Sequence, residues 1–450
     1  MVGRLNEKKM LVDFINGRSK ACMVYGLRRI GKSFLIQEVL KASGRKFHYF
    51  ECAEASMTAN LRLFCSSAGF NPVMPAATFL DAFKELSRRE GDIIVVIDEY
   101  QNMQLRQEDI GIDSIMQLAI DQCPPGMKLI FCGSYITAMK KLLKEENPLF
   151  GRFDPIIHLD AMDYLDSSLF YPRATTREKI GYYAVFGGCP YINESIDPEA
   201  GLKENITKLI LPQDSKARNY IENLVFKELK KMDGVNEILA ALANGKRSYS
   251  AIQSGLAGRS NGYAAERLAI LEDMGIVCRN APINDPGNKK KAYYEIRDNL
   301  MRFYYAYVFA NRNTIMMLGA QTFFDSYIEK SLDTFISYRF EGIARQYFSR
   351  RAKAGQLPGI LDIGTYSYDD AKTKTNGEFD VALRFQDGYD IYEVKFLKEK
   401  MSSALLGEEG RKMHAIPSFK PRRIGFISAS GFSTTGDGAE YITGDDIYKM

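Results

Sequence analysis

No stretch of the 450-residue sequence is apolar for long enough to cross a bilayer, and the opening MVGRLNEKKM has no apolar core of the kind a secretory signal needs. A cytoplasmic setting is the expectation. The seven cysteines, at positions 22, 52, 65, 123, 132, 189 and 278, are scattered, form no CxxC pair and share no stretch with a histidine. This argues against zinc ribbons and disulfide frameworks and for buried small hydrophobes in a reducing compartment. His48, His158 and His414 stand alone and read as core or surface residues, not ligands. Neither sign of charge dominates: 60 basic residues face 56 acidic ones for a net +4, so nucleic-acid affinity has to come from local patches. Internal repeats and low-complexity segments are missing too.

With 46% hydrophobic and 26% charged residues, the chain has the make-up of a folded globular protein, and its length exceeds what one core supports. Roughly two to four domains are expected. Up to residue 165, apolar runs of strand length alternate with helical patterns: ACMVY (21–25), KFHYFE (46–51), DIIVVID (92–98), KLIFCG (128–133) and PIIHL (155–159), with helices starting near Lys32, Ala77 and Ile112. That alternation predicts an α/β domain with a parallel sheet, and the all-apolar IIVVI predicts a strand covered on both faces. Residues 166–230 read as a helical connector or lid. Residues 231–312 offer three short helices and a hairpin, the pattern of a winged helix. Residues 313–450 open with a long helix through Phe335 to Ser349 and continue with the strands ILDIGTYSY, EFDVALRF, YDIYEVKF and RRIGFISA.

The segment GLRRIGKS, Gly26, Leu27, Arg28, Arg29, Ile30, Gly31, Lys32 and Ser33, satisfies GxxxxGK[ST] between a predicted strand and a predicted helix. Glycines let the backbone curl its N–H groups inward around a phosphate, and the helix N-terminus adds positive potential. Lys32 would neutralise β- and γ-phosphate charge, Ser33 would offer its hydroxyl to Mg²⁺, and the loop's ATP contacts would run on to Phe34. The buried strand IIVVID supplies Asp98 to hold Mg²⁺ through water and Glu99 to polarise the attacking water. The plainer reading of that pair is two acids where a strand meets a loop. Ser134 would sense the γ-phosphate or cap the following helix. Arg152 would be an arginine finger, within or between subunits of a homo-oligomer, or a surface salt bridge.

GLRRIGKS, VVIDEYQNM, LIFCGSYITAMKKLL with PLFGR, FGGCPYI and YYEIRDNLMRFYYAYV together resemble a prokaryotic, archaeal-type ATPase family of the AAA/STAND-like group. The resemblance spans nearly the whole chain. It implies a P-loop ATPase core, a winged helix and a C-terminal α/β domain resembling PD-(D/E)xK nucleases, with restriction-endonuclease-like architecture. Leu27 stands where members commonly carry an arginine and Tyr100 where they carry Phe, and neither change touches the phosphate chemistry.

On the residues alone, EFDVALRFQDGYDIYEVKF places Asp380 on one strand and Glu393 and Lys395 on one face of the next, across a turn at Asp387-Gly388. Asp380 and Glu393 could share Mg²⁺ while Lys395 orients water, with Glu341 as a further acid from the preceding helix. The competing reading is a solvent-facing strand with cross-strand salt bridges. Phe379 stands where the nuclease motif ordinarily has proline. Arg345, Arg350, Arg351, Lys353, Arg411, Lys412, Arg422 and Arg423 are candidates for phosphate contacts. In the winged helix, Arg259, Ser260, Asn261 and Arg267 would face a DNA groove and Lys289, Lys290 and Lys291 the flanking phosphates, unless the module is a lid or protein contact. The expectation is an Mg-dependent ATPase acting on DNA through a nuclease-like domain. The alternative is an ATP-dependent switch acting on protein partners, with that domain inactive.

Overall fold

Residues 3–71, 76–104, 111–229, 233–256, 259–260, 262–370, 375–414 and 420–449 are described in a computed structural model of the chain. Asn261 and the side chain of His414, both named above, fall outside them. The chain divides into two compact units, Met1–Ala161 and Met162–Met450.

The first unit is built on five parallel strands, β1 (Ala21–Tyr25), β2 (Phe47–Glu51), β3 (Ile94–Asp98), β4 (Lys128–Gly133) and β5 (Ile156–His158), in the order β2-β3-β4-β1-β5. Around them lie α1 (Leu5–Asn16), α2 (Lys32–Ser43), α3 (Met57–Ser67), α4 (Phe79–Glu90), α5 (Ile112–Asp121) and α6 (Ile136–Lys141). Burial on both faces explains why β1, β3 and β4 are apolar except for Asp98 at the end of β3 and Lys128 at the start of β4. Met23, Val95, Ile97, Leu129 and Phe131 enter the core on one face, and Cys22, Val24, Ile94, Val96, Ile130 and Cys132 enter the core on the other. A Thr78/Asp81 capping box starts α4. The sequence pattern did not point to α3, whose Asn60 is buried in bonds to Ala53, Ala55 and Ser56 carbonyls.

The second unit holds a mixed sheet of β8 (Asp362–Asp370), β9 (Thr375–Phe385), β10 (Gly388–Lys395), β11 (Arg423–Ser428) and β12 (Ala439–Thr443), in the order β12-β11-β10-β9-β8. β8, β9 and β10 pair antiparallel, while β10, β11 and β12 pair parallel. The 25-residue helix Glu329–Lys353 packs Phe340, Ile343 and Phe348 against Val381, Leu383, Tyr392 and Val394. Tyr164, Ile180, Tyr183 and Ala184 join the same core, so the helix Thr176–Phe186, inside the stretch read as a connector, is packed into the second unit.

Ahead of that sheet stand the helices Val235–Ala243, Tyr249–Gly255 and Tyr263–Asp273 and the hairpin β6 (Val277–Asn280) with β7 (Tyr293–Ile296). The hairpin loop is sewn to β8. Ile283 N donates to Thr365 O at 2.9 Å, and Asn284 exchanges bonds with Ser367. Gly364 makes this approach possible, because a Cβ there would meet Ile283 Cγ2 at 2.5 Å. Among the described residues, no helix is long and apolar enough to cross a membrane, and the seven cysteines are free.

Candidate functional site

The loop after β1 closes tightly. A Cβ on Gly26 would lie 2.2 Å from the Leu159 carbonyl oxygen, and Gly31 turns into α2 at a φ of 97°. Arg29 also takes a left-handed conformation, with φ 63°. Leu27 and Ile30 pack inward, whereas Phe34 is 61% exposed. Lys32 is buried at the N-terminus of α2, its ammonium donating to Gly26 O at 2.9 Å and Leu27 O at 3.0 Å. The loop thus directs a cation and a helix N-terminus at the space in its curl, the arrangement that binds phosphate.

Pairing of β1 with β4 and of β4 with β3 brings the acidic strand end beside this loop. Ser33 Oγ donates to Asp98 Oδ2 at 2.8 Å. Asp98 Oδ1 accepts the Glu99 amide at 2.8 Å, and Tyr49 of β2 also donates its hydroxyl to Asp98 Oδ2. Ser33 and Asp98 present hard oxygen donors, which is the set Mg²⁺ takes beside phosphates. Glu99 lies in a left-handed conformation, φ 52°, and its Oε2 accepts Ser134 Oγ at 2.6 Å, Ser134 N at 3.3 Å and the Gln101 side-chain amide. Ser134 therefore serves the Glu99 carboxylate. It does not cap α6, whose first flanking residue is Tyr135 with no side-chain cap bond.

In the second unit, Asp380, Glu393 and Lys395 meet across β9 and β10. Asp380 Oδ2 accepts the Val394 amide at 2.9 Å, and Lys395 Nζ sits 2.6 Å from Glu393 Oε1 and 3.3 Å from Glu409 Oε1. Glu341 approaches from the long helix. Burial pushes the Glu341 carboxyl well above the ordinary range, with Arg345 and Arg247 opposing and Glu378 and Glu393 adding to the rise. The Asp380 and Glu393 carboxyls are raised by burial and by their negative neighbours, Glu341 and Asp380 respectively. Among the described residues, no His, Cys, Asp and Glu side chains are gathered in a group of three that could hold a metal ion. Glu409, on the helix Ser403–His414, and Arg247, ahead of the helix Tyr249–Gly255, carried no signal in the sequence because only folding brings them here.

Residues 18–164 match the AAA domain family, and residues 304–405 match a family described as archaeal and bacterial proteins of unknown function. The first match covers both the phosphate loop and the acidic strand. The ATP-site segment is an AAA-type P-loop ATPase domain. Over 372 residues the chain is 26% identical to an uncharacterized protein of Methanocaldococcus jannaschii, covering 81% of each. A Walker-type ATPase of Pyrococcus abyssi overlays with a TM-score of 0.52 at 17% identity, over 68% of this chain and 96% of that one, a likeness of fold.

In the ATPase domain, Arg152 is engaged away from the phosphate loop. It forks onto Asp121, with Nη2 at 3.0 Å and Nε at 3.1 Å, and donates to Pro148 O at 2.9 Å. Of the basic residues proposed to meet phosphates in the second unit, Arg350 pairs with Asp163 and Asp166, Arg351 and Arg423 with Glu440, Arg422 with Asp387, and Lys412 with Glu408. Arg345 donates to the Asp380 carbonyl at 2.6 Å. Arg259 pairs with Asp233 at 2.7 Å, Arg267 with Glu266 at 2.8 Å, and both guanidiniums lie over the Tyr263 ring.

Proposed function

We propose that the AAA-type domain hydrolyses ATP with Mg²⁺ and that the second unit uses this turnover to act on nucleic acid. The observation that carries the first part is the Ser33–Asp98 bond, which joins the phosphate loop to the acidic strand. In this reading Gly26 to Phe34 wrap the phosphates, Lys32 leaves the Gly26 and Leu27 carbonyls for the β- and γ-oxygens, and Glu99 takes a proton from the attacking water. Magnesium, when bound, supplies charge neutralisation across the phosphates. Ser134 holds Glu99, and Arg152 joins only if it exchanges Asp121 for phosphate.

For the second unit, the cluster of Asp380, Glu393, Lys395 and Glu341 supports a metal-dependent phosphodiesterase of nuclease type, with the three-helix and hairpin module as its winged-helix DNA contact. ATP turnover should rise with added DNA in the wild type and vanish in Lys32→Ala. Cutting that needs Mg²⁺ or Mn²⁺ should be abolished by Asp380→Ala and by Lys395→Ala. Equal nicking by those variants, or no DNA binding and no stimulation at low salt, defeats this reading. The second reading, a switch acting on protein partners with an inactive nuclease-like domain, draws on Lys395 being held between Glu393 and Glu409 and on the absence, among the described residues, of a closed metal-ligand group.

A further inference from the structure

β2 forms the edge of the ATPase sheet beside β3, in parallel register with Tyr49 opposite Val96 and Glu51 opposite Asp98. Tyr49 lies two residues before Glu51, on the same face of its strand. Its ring packs against the apolar core between the sheet and α2, and its hydroxyl reaches along the strand direction to Asp98 Oδ2. The same oxygen takes the Ser33 hydroxyl, and the other carboxylate oxygen takes the Glu99 amide. Asp98 thus takes hydrogen bonds from the helix after the loop, from the edge strand and from the Glu99 amide, with the buried Cys132 thiol of β4 also against its carboxylate.

We infer that Tyr49 is a positioning residue for the magnesium of the ATP site. A carboxylate on a strand end has free rotation about two side-chain bonds, and holding a metal's water shell through it requires one orientation. Ser33 donates its proton to Asp98, which leaves its oxygen lone pairs turned outward as a ligand. That arrangement lasts only while Asp98 keeps its orientation. The Tyr49 hydroxyl anchors the same Asp98 oxygen, beside the Ser33 hydroxyl, so the Ser33–Asp98 pair is set before nucleotide arrives. Tyr49 touches neither phosphate nor metal in this role; it acts through Asp98.

The inference rests on the proposed use of Mg²⁺ at this site, and Tyr49→Phe isolates it, because the ring that fills the core is retained. Affinity for ATP is measured by calorimetry in EDTA and again in excess Mg²⁺, with Mn²⁺ binding to the ADP-loaded protein followed by paramagnetic resonance. The expected result is an unchanged affinity in EDTA, a loss of roughly 10-fold in the metal-dependent gain, and Mn²⁺ binding weakened by the same factor. A merely structural role would lower both affinities together and depress the unfolding temperature. Equal losses with and without metal, or no change in either, overturn the inference. A wild type with no metal-dependent gain at all instead refutes the magnesium reading on which it stands.

Discussion

The Ser134 hydroxyl donates to Glu99 Oε2 at 2.6 Å, joining the residue after β4 to the carboxylate after β3. With Gln101 and the Ser134 amide on the same oxygen, Glu99 is held in one direction. Ser134→Ala should lower kcat roughly 10- to 100-fold with KM changed little, the pattern expected when a group that orients a catalytic residue is removed. Steady-state phosphate release checks this, and an unchanged kcat would show that Glu99 does not need Ser134.

Lys32→Ala should weaken ATP by about 2 to 3 kcal/mol, on the order of 100-fold, from loss of charge-assisted bonds to phosphate. Without nucleotide the variant loses only the bonds to the Gly26 and Leu27 carbonyls, so its unfolding temperature should stay near that of the wild type. Titration calorimetry and thermal unfolding separate the two effects.

The raised carboxyls of Glu341, Asp380 and Glu393 predict a pH-dependent stability. For an acid whose folded pKa is raised, the stabilising contribution is complete below its unfolded pKa, near 4 for such groups, and is lost as pH rises through the folded pKa. The wild type should therefore lose stability between about pH 4 and pH 7. Asp380→Asn removes one of the repelling charges, and its gain over the wild type should be larger at pH 8 than at pH 5. Thermal unfolding of both proteins at the two pH values decides it, and a larger gain at pH 5 would contradict the sign.

If the three-helix module meets DNA, Arg259→Ala should weaken duplex binding and reduce the slope of log affinity against log salt by about 1. Asp233→Asn, which releases Arg259 from its 2.7 Å ion pair, should strengthen binding. Fluorescence anisotropy at several salt concentrations reads both, and equal slopes for all three proteins would remove Arg259 from the interface.

The phosphate loop was legible because its chemistry is local. Strand, glycine turn, Lys32 and Ser33 follow one another, and β1 and β4 lie at the positions that their apolar runs marked, 21–25 and 128–133. Asp98 and Glu99 were legible for the same reason, since a buried strand ending in acids announces itself. Alternation also put Glu393 and Lys395 on one face of β10, where they meet at 2.6 Å. Less was visible where the periodic signal faded: β12, entered from a glycine-containing stretch, carried too short a run to stand out.

Period and motif say which face a residue occupies, but they do not say which strand lies beside it. The order β2-β3-β4-β1-β5 is what sets Tyr49 beside Asp98 and Ser134 beside Glu99, across 49 and 35 residues of chain. Likewise, packing of the helix Ser403–His414 brings Glu409 to Lys395, and Arg152 turns to Asp121 because α5 lies within its reach. The sequence by itself determined that this chain has a phosphate-binding loop and a partnered acidic strand, because contiguous residues carry both. Only the tertiary structure decided which side chains hold those groups in place, because hydrogen bonds between distant segments form only when the apolar faces of strands and helices have packed together.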